Sequence, residues 1–259
     1  MNKDLKILPE NLIEKYREVF DKSLPDKFNS LVDSELSIDS FSFYTSVSVV
    51  FSSKIEGEEI DLDSFIKHKR FGIEFLPNYT QKIDDLYDAY TFAKNHPISE
   101  ENILHAHSLI TKNILPKSKQ GKFRTGNMFV LTDEGNIEYV AVSPLKLQRE
   151  INIFFHDLDK ILRIDLSFEE VLYFASMIHL VFVKIHPFDD GNGRTARLLE
   201  KWFLAEKLGQ KAWFINSEKY YYENHNTYYK NIRKLGLEYD DLNYNESLDF
   251  LLMLTSTLI

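Results

Sequence analysis

The chain contains no cysteine. That absence excludes disulfides, thiolate metal sites and cysteine nucleophiles together. Glycine and proline are sparse, 9 and 7 in 259 residues, which argues against a loop-dominated or all-β fold. Long apolar runs are missing too: clusters such as Leu251-Leu252-Met253-Leu254 fall far short of the roughly 18 residues of a membrane span. The start, Met1-Asn2-Lys3-Asp4-Leu5-Lys6, has no apolar signal core. The expectation is a cytoplasmic protein without a membrane partner. Positive charge is also short, with a net charge of −9, so a broad nucleic-acid footprint is not expected.

What is present is a normal globular core. Hydrophobic residues make up 44% of the chain, with 20 Phe and 14 Tyr. The length suits one large domain, or one domain with a helical extension. Mixed three and four spacing of apolar residues predicts helix over 10–32 and 40–55, a short helix from Asp61 to about Lys69, and another over 80–95. The last carries Ile83, Leu86, Tyr87, Tyr90 and Ala93 on one face and stops at His96-Pro97. Ser99 is the expected N-cap of the next, with Ile103, His107 and Ile110 on its inner face.

Met128–Thr132 and Ile137–Val142 are rich in strand formers, and Asp133-Glu134-Gly135-Asn136 between them is turn chemistry. The hairpin must lie on the helical body, and its free edges could accept an extended peptide. Helix is expected again over 147–162. Ser167-Phe168-Glu169-Glu170 is a capping-box pattern that opens a strongly apolar helix running to about Ile185. Its apolar residues run nearly all round, which predicts the central buried helix. A helix through Leu198, Leu199, Trp202 and Phe203 starts near Asn192–Arg194.

Between those two helices lies His186-Pro187-Phe188-Asp189-Asp190-Gly191-Asn192-Gly193-Arg194-Thr195-Ala196-Arg197. Gly191-Asn192-Gly193 lets backbone N–H groups approach a ligand at a helix N-terminus, which makes a phosphate cradle. Arg194 and Arg197 rise on one face beside it and can grip phosphate oxygens. Asp190 is a hard oxygen ligand suited to Mg²⁺, and His186 can accept a proton from an attacking hydroxyl. Singly, each has an ordinary structural use: a helix end, a turn, a solvated face. Their coincidence in one loop favours a nucleoside-triphosphate site.

The run resembles the signature of the Fic-domain family, His-x-Phe-x-Asp/Glu-Gly-Asn-Gly-Arg-x-x-Arg, at every specified position. Gly121-Lys122-Phe123-Arg124 is similar to that family's entry to a hairpin flap, and Asn224 with Tyr228-Tyr229 resembles a segment near the nucleotide base. The likeness spans roughly 40–240. It implies a mainly α Fic fold, a helical bundle with a β-hairpin flap over the active site. It implies transfer of AMP from ATP to a Ser, Thr or Tyr hydroxyl of a protein target. His186 is then the base and Asp190 holds Mg²⁺. The Gly191–Gly193 backbone and Asn192 steady phosphate oxygens, Arg194 and Arg197 take the β- and γ-phosphates, Phe188 anchors the loop in the core, and Tyr228 lies in the nucleotide site.

Ser52-Ser53-Lys54-Ile55-Glu56-Gly57 resembles the family's inhibitory pattern, Ser/Thr-x-x-x-Glu-Gly/Asn, through Ser52, Glu56 and Gly57. Gly57 also reads as an ordinary helix end. The resemblance implies that Glu56 pairs with Arg197 and withholds it from the γ-phosphate, as in the subclass with an N-terminal inhibitory helix. The expected organisation is a helical region carrying this motif over 1–95, a Fic core over 96–240 and a C-terminal helix over 241–259. The last helix, Leu248 to Leu258, is either core or an interface, and homodimers are common in the family. Removal of AMP with Glu56, transfer of UMP, phosphocholine or phosphate, and an inactive binding module remain open alternatives.

Overall fold

The computed structural model describes residues 3–38, 41–131, 135 and 137–258. Among them the helices are α1 (Ile13–Val19), α2 (Leu24–Asn29), α3 (Phe43–Ile55), α4 (Leu62–Phe71), α5 (Pro77–Asn95) and α6 (Glu100–Ile110). After the hairpin come α7 (Pro144–Arg163), α8 (Phe168–Ile185), α9 (Asn192–Leu208), α10 (Ser217–Glu223), α11 (His225–Arg233) and α12 (Leu248–Thr255). The expected mainly helical bundle is the observed one.

Local chemistry explains most boundaries. Ser42, Asp61 and Ser99 each accept a backbone N–H at the start of their helices. At Ser167 both halves of the capping box form, with the Glu170 side chain reaching back to the Ser167 N–H. The segment 10–32 is corrected from one helical stretch to two short helices. Phe20 leaves α1 in extended backbone, Asp21 takes the Ser23 N–H and hydroxyl into a local turn, and Pro25 suits the first turn of α2.

α8 runs through the core and touches α1, α7, α9 and α12. Every residue from Val171 to Phe182 is buried, as its all-round apolar pattern requires. Phe250, Leu251, Met253 and Leu254 of α12 are buried within this one chain, so that helix is core. The N-terminal segment is pinned to α7: Asp157 Oδ2 accepts the N–H groups of Lys6, Ile7 and Leu8 at 2.7, 2.7 and 3.1 Å. No helix among the described residues is long and apolar enough to cross a membrane.

The hairpin is β1 (Phe129–Leu131) and β2 (Ile137–Val140), antiparallel, with a register shift between Val130 and Leu131. Thr132 and the turn residues Asp133, Glu134 and Asn136 lie outside the described residues. Tyr139 fastens the hairpin to the body by donating to the Lys184 carbonyl at 2.7 Å. The expectation of two open edges holds for one only. Val140 donates to Leu237 O at 2.8 Å and bridges Glu238, so the β2 side is covered, and among the described residues no strand pairs with the outer edge of β1.

α3, which ends at the Ser52–Gly57 motif, is held from beneath by a buried cation. Lys201 Nζ donates to Ser48 Oγ at 2.6 Å, to Ile215 O at 2.7 Å and to the Glu218 carboxylate. Tyr90 of α5 donates to the other Glu218 oxygen at 2.8 Å. Lys201→Met would strand a buried carboxylate and is expected to cost about 3–5 kcal/mol. The urea unfolding midpoint reads this, and a loss below about 1 kcal/mol would show the cluster to be solvated.

Candidate active site

His186 terminates α8 in the left-handed region, φ 53° and ψ 60°. For a residue with a Cβ this costs roughly 1–2 kcal/mol, so something must hold it there. Arg124 does: Nε donates to His186 O at 2.7 Å, Nη1 to Gly126 O at 2.8 Å and Nη2 to Val142 O at 2.6 Å. One buried guanidinium thus joins the end of α8, the hairpin entry and the hairpin exit.

The His186 ring places Nδ1 3.1 Å from the Val183 carbonyl. A carbonyl only accepts, so Nδ1 carries the proton and Nε2 keeps the lone pair. Burial lowers the imidazole pKa below its ordinary value, the Val183 contact opposes this, and nearby Arg124 lowers it further. The ring is therefore a neutral base at pH 7.

The loop that follows is stapled from inside. Phe188 is 0% exposed, stacked on His107 at 3.6 Å between ring centroids, with Phe123 and Phe182 beyond. Asn192 turns back on it: Oδ1 accepts Phe188 N–H at 2.9 Å and Nδ2 donates to Phe188 O at 3.0 Å. The Asn192 side chain thus shapes the loop, whereas the family likeness gave it to phosphate. Gly191, at φ +78°, is the N-cap of α9, and a Cβ there would lie 2.8 Å from Thr111 Cγ2.

His107 is a site residue that sequence reasoning treated only as part of an apolar helix face. Its Nδ1 accepts the Gly121 N–H at 3.0 Å, so Nε2–H donates to Asp190 O at 2.9 Å. Burial depresses its pKa to about 4, which keeps this neutral tautomer in place. No spacing rule finds a contact across 83 residues. Arg124 was read as hairpin entry, and its hold on the His186 carbonyl had no signal in the sequence.

Asp190 Oδ1 takes the Gly191 N–H at 2.5 Å and lies 4.0 Å from Arg194 Nη2. Its other oxygen makes no hydrogen bond among the described residues, and the side chain is 47% exposed. No group of three or more metal-binding side chains forms among those residues. One free carboxylate oxygen beside an anion cradle fits Mg²⁺, which takes one or two carboxylates and completes its shell with water and substrate phosphates. Arg194 is nearly buried, and its Nε has no partner. An orphaned guanidinium donor next to a helix N-terminus is a place for an oxyanion.

Beside it, on Arg197, lies a carboxylate of the chain itself. Glu56, the C-cap of α3 just before Gly57 at φ +85°, puts Oε1 2.6 Å from Arg197 Nη2. The same oxygen crowds the start of α9: a Cβ on Gly193 would lie 2.5 Å from it. Ser52, the first residue of the motif, accepts Arg197 Nε on its hydroxyl at 2.9 Å and Nη2 on its carbonyl at 3.1 Å. Burial alone would raise the Glu56 pKa, but Arg197 and then Arg194 outweigh it, and the carboxyl sits below its ordinary value.

Glu56, His186, Gly193, Arg197, Tyr228 and Tyr229 line one cavity of about 300 Å³, together with Phe129, Val130 and Tyr139 of the hairpin. Tyr228 forms its wall, with the hydroxyl 3.4 Å from Arg197 Nη1. It therefore meets the arginine end of the cavity. Asn224 instead caps α10, donating to Tyr220 O at 3.0 Å.

Residues 97–204 match the Fic/DOC family model. A stretch of 106 residues, 41% of this chain, is 33% identical to Protein adenylyltransferase Fic of Nematostella vectensis and spans only 22% of that relative's length. The fold covers 98% of this chain and 73% of a Fic family protein from Desulfovibrio desulfuricans G20, at TM-score 0.73 and 18% identity. It covers 96% of this chain and 68% of a solved part of Fic-1 from C. elegans, at TM-score 0.65 and 20% identity. At those identities the solved structures establish the shared fold.

Proposed function

Because the chain carries a Fic/DOC family domain over residues 97–204, we propose that it is a protein adenylyltransferase whose resting state is set by Glu56. The observation that carries this reading is the filled anion site: a glutamate carboxylate lies on Arg197 and against Gly193, where a triphosphate oxygen belongs.

The geometry supports the role that the family resemblance gives each residue. His186 Nε2 takes the proton of a target hydroxyl as that oxygen bonds to the α-phosphorus and pyrophosphate departs. The N–H groups at the start of α9 face charge developing on the phosphoryl oxygens. Arg194 offers its unpartnered Nε to the β-phosphate, and Arg197, freed from Glu56, takes the γ-phosphate. Asp190 is the residue that would hold Mg²⁺, which when bound neutralises triphosphate charge. The open β1 edge lines the target segment up by strand addition.

Treating a cell lysate with Glu56→Gly protein and ATP, then reading modified proteins by mass spectrometry, tests the reaction. Added AMP on Ser, Thr or Tyr is the expected mark; UMP, phosphocholine or bare phosphate would replace this reading with another transfer on the same fold. Asp190→Ala is expected to lower turnover by several kcal/mol of lost charge stabilisation, on the order of 10²-fold or more. Labelling across a Mg²⁺ titration reads the effect, and unchanged labelling at low Mg²⁺ would remove Asp190 from the metal role.

A further inference from the structure

Arg197 has a further polar contact, at the Tyr228 wall of the cavity. Its Nη1 donates to the Tyr228 hydroxyl, which lies 2.9 Å from His179 Nε2. His179 Nδ1 lies 2.8 Å from Glu200 Oε2, and Tyr221 donates to that same oxygen at 2.9 Å. His179 and Glu200 are both 0% exposed, and the second Glu200 oxygen is buried without a hydrogen-bond partner.

Donor and acceptor rules set the direction of the chain. The Glu200 carboxylate only accepts, so His179 Nδ1 carries a hydrogen and Nε2 keeps its lone pair. Tyr228 must then give its O–H to Nε2, which leaves its oxygen lone pairs for Arg197. Donation runs one way, from Arg197 through Tyr228 and His179 to Glu200. Arg197 and Glu200 stand one turn apart on α9, yet this link passes through α11 and α8.

A buried guanidinium needs a counter-charge. Glu56 supplies it in the arrangement seen here. When Glu56 leaves, Ser52 and Tyr228 remain as neutral partners, and Glu200 is the carboxylate that Arg197 reaches through connected, mutually polarising hydrogen bonds. The fold therefore builds in a second, permanent counter-charge behind the first.

We infer that His179 and Glu200 are positioning residues that act through Tyr228 to keep the Arg197 guanidinium aimed at the terminal phosphate once Glu56 withdraws. This rests on the reading that Arg197 alternates between Glu56 and a γ-phosphate. Neither His179 nor Glu200 lines the cavity. Their contribution is selectivity for a nucleoside triphosphate over a diphosphate.

The test measures binding of Mg²⁺–ATP and Mg²⁺–ADP by calorimetry in a Glu56→Gly background. Tyr228→Phe, which keeps the ring, and Glu200→Gln are each expected to cut the ATP-over-ADP preference about tenfold, the scale of one hydrogen bond to a charged group. In Glu200→Gln, which does not line the cavity, ADP affinity should stay within about twofold. His179→Gln, whose amide can both donate and accept, should retain more of the preference than His179→Phe. If ATP and ADP affinities fall by the same factor, the network is structural support and the inference fails. An unchanged ratio in Tyr228→Phe, with its melting temperature intact, also overturns it. If Glu56→Gly alone shows no preference for ATP over ADP, the reading of Arg197 fails, and this inference falls with it.

Discussion

Glu56→Gly protein is expected to transfer AMP from α-labelled ATP about 10²-fold faster than the native chain, or more. The expectation follows from what a triphosphate must displace. The Glu56–Arg197 pair is short, at 2.6 Å, and Arg197 is 1% exposed. The Glu56 side chain is 23% exposed, so breaking this half-buried pair falls at the lower end of the about 3–5 kcal/mol of a fully buried one, and each 1.4 kcal/mol is about tenfold. Protonation offers no escape at neutral pH, because Arg197 and Arg194 hold the Glu56 pKa below its ordinary value. The carboxylate stays charged until the pH falls through that lowered pKa, so the block persists across the physiological range. Glu56→Gln separates charge from bulk. It loses the ion pair but keeps a side chain against Gly193, where there is no room for even a Cβ. Its activity should fall between native and Glu56→Gly. Label incorporation at the native level in Glu56→Gly, with Mg²⁺ and with Mn²⁺, would falsify self-inhibition.

The chain discloses this site unevenly. The run from His186 to Arg197 is legible because twelve adjacent residues bring a base, a carboxylate, a glycine cradle and two arginines together, and the loop needs no distant partner to be recognised. The helices around it are legible because apolar spacing and side-chain caps act within one or two turns, as at Ser99 and Ser167. Glu56 is reachable only through a motif, and its distance from Arg197 comes from how α3 packs over α9. His107, Arg124 and the His179–Glu200 relay leave no local trace, since each acts on a residue brought near by tertiary packing. The break at Phe20–Ser23 escapes for another reason: apolar spacing continues across a turn that Asp21 makes with its own neighbours. The covered β2 edge escapes because its partner, Leu237, lies in a stretch with no strand pattern.

His186→Ala, made on the Glu56→Gly background, is expected to lower AMP transfer by about 10²–10⁴-fold, the range for a removed general base. Nucleotide affinity should be nearly unchanged, because the cradle at the start of α9 and both arginines do not depend on the imidazole. A turnover loss with preserved binding separates proton transfer from site assembly. The local fold should also survive. Arg124 holds the backbone carbonyl of His186, and alanine retains that carbonyl. The pH profile of Glu56→Gly supplies an independent check. Burial lowers the His186 pKa below its ordinary value, so the neutral base is the main form at pH 7. Transfer should therefore be flat above neutrality and fall only in acid, as the ring takes up its proton. A rate that climbs steadily between pH 7 and 9 would assign the limiting proton to a different group. The two substitutions together give a sign test on the whole site: removing Glu56 should expose activity, and removing His186 should then abolish it without releasing the nucleotide.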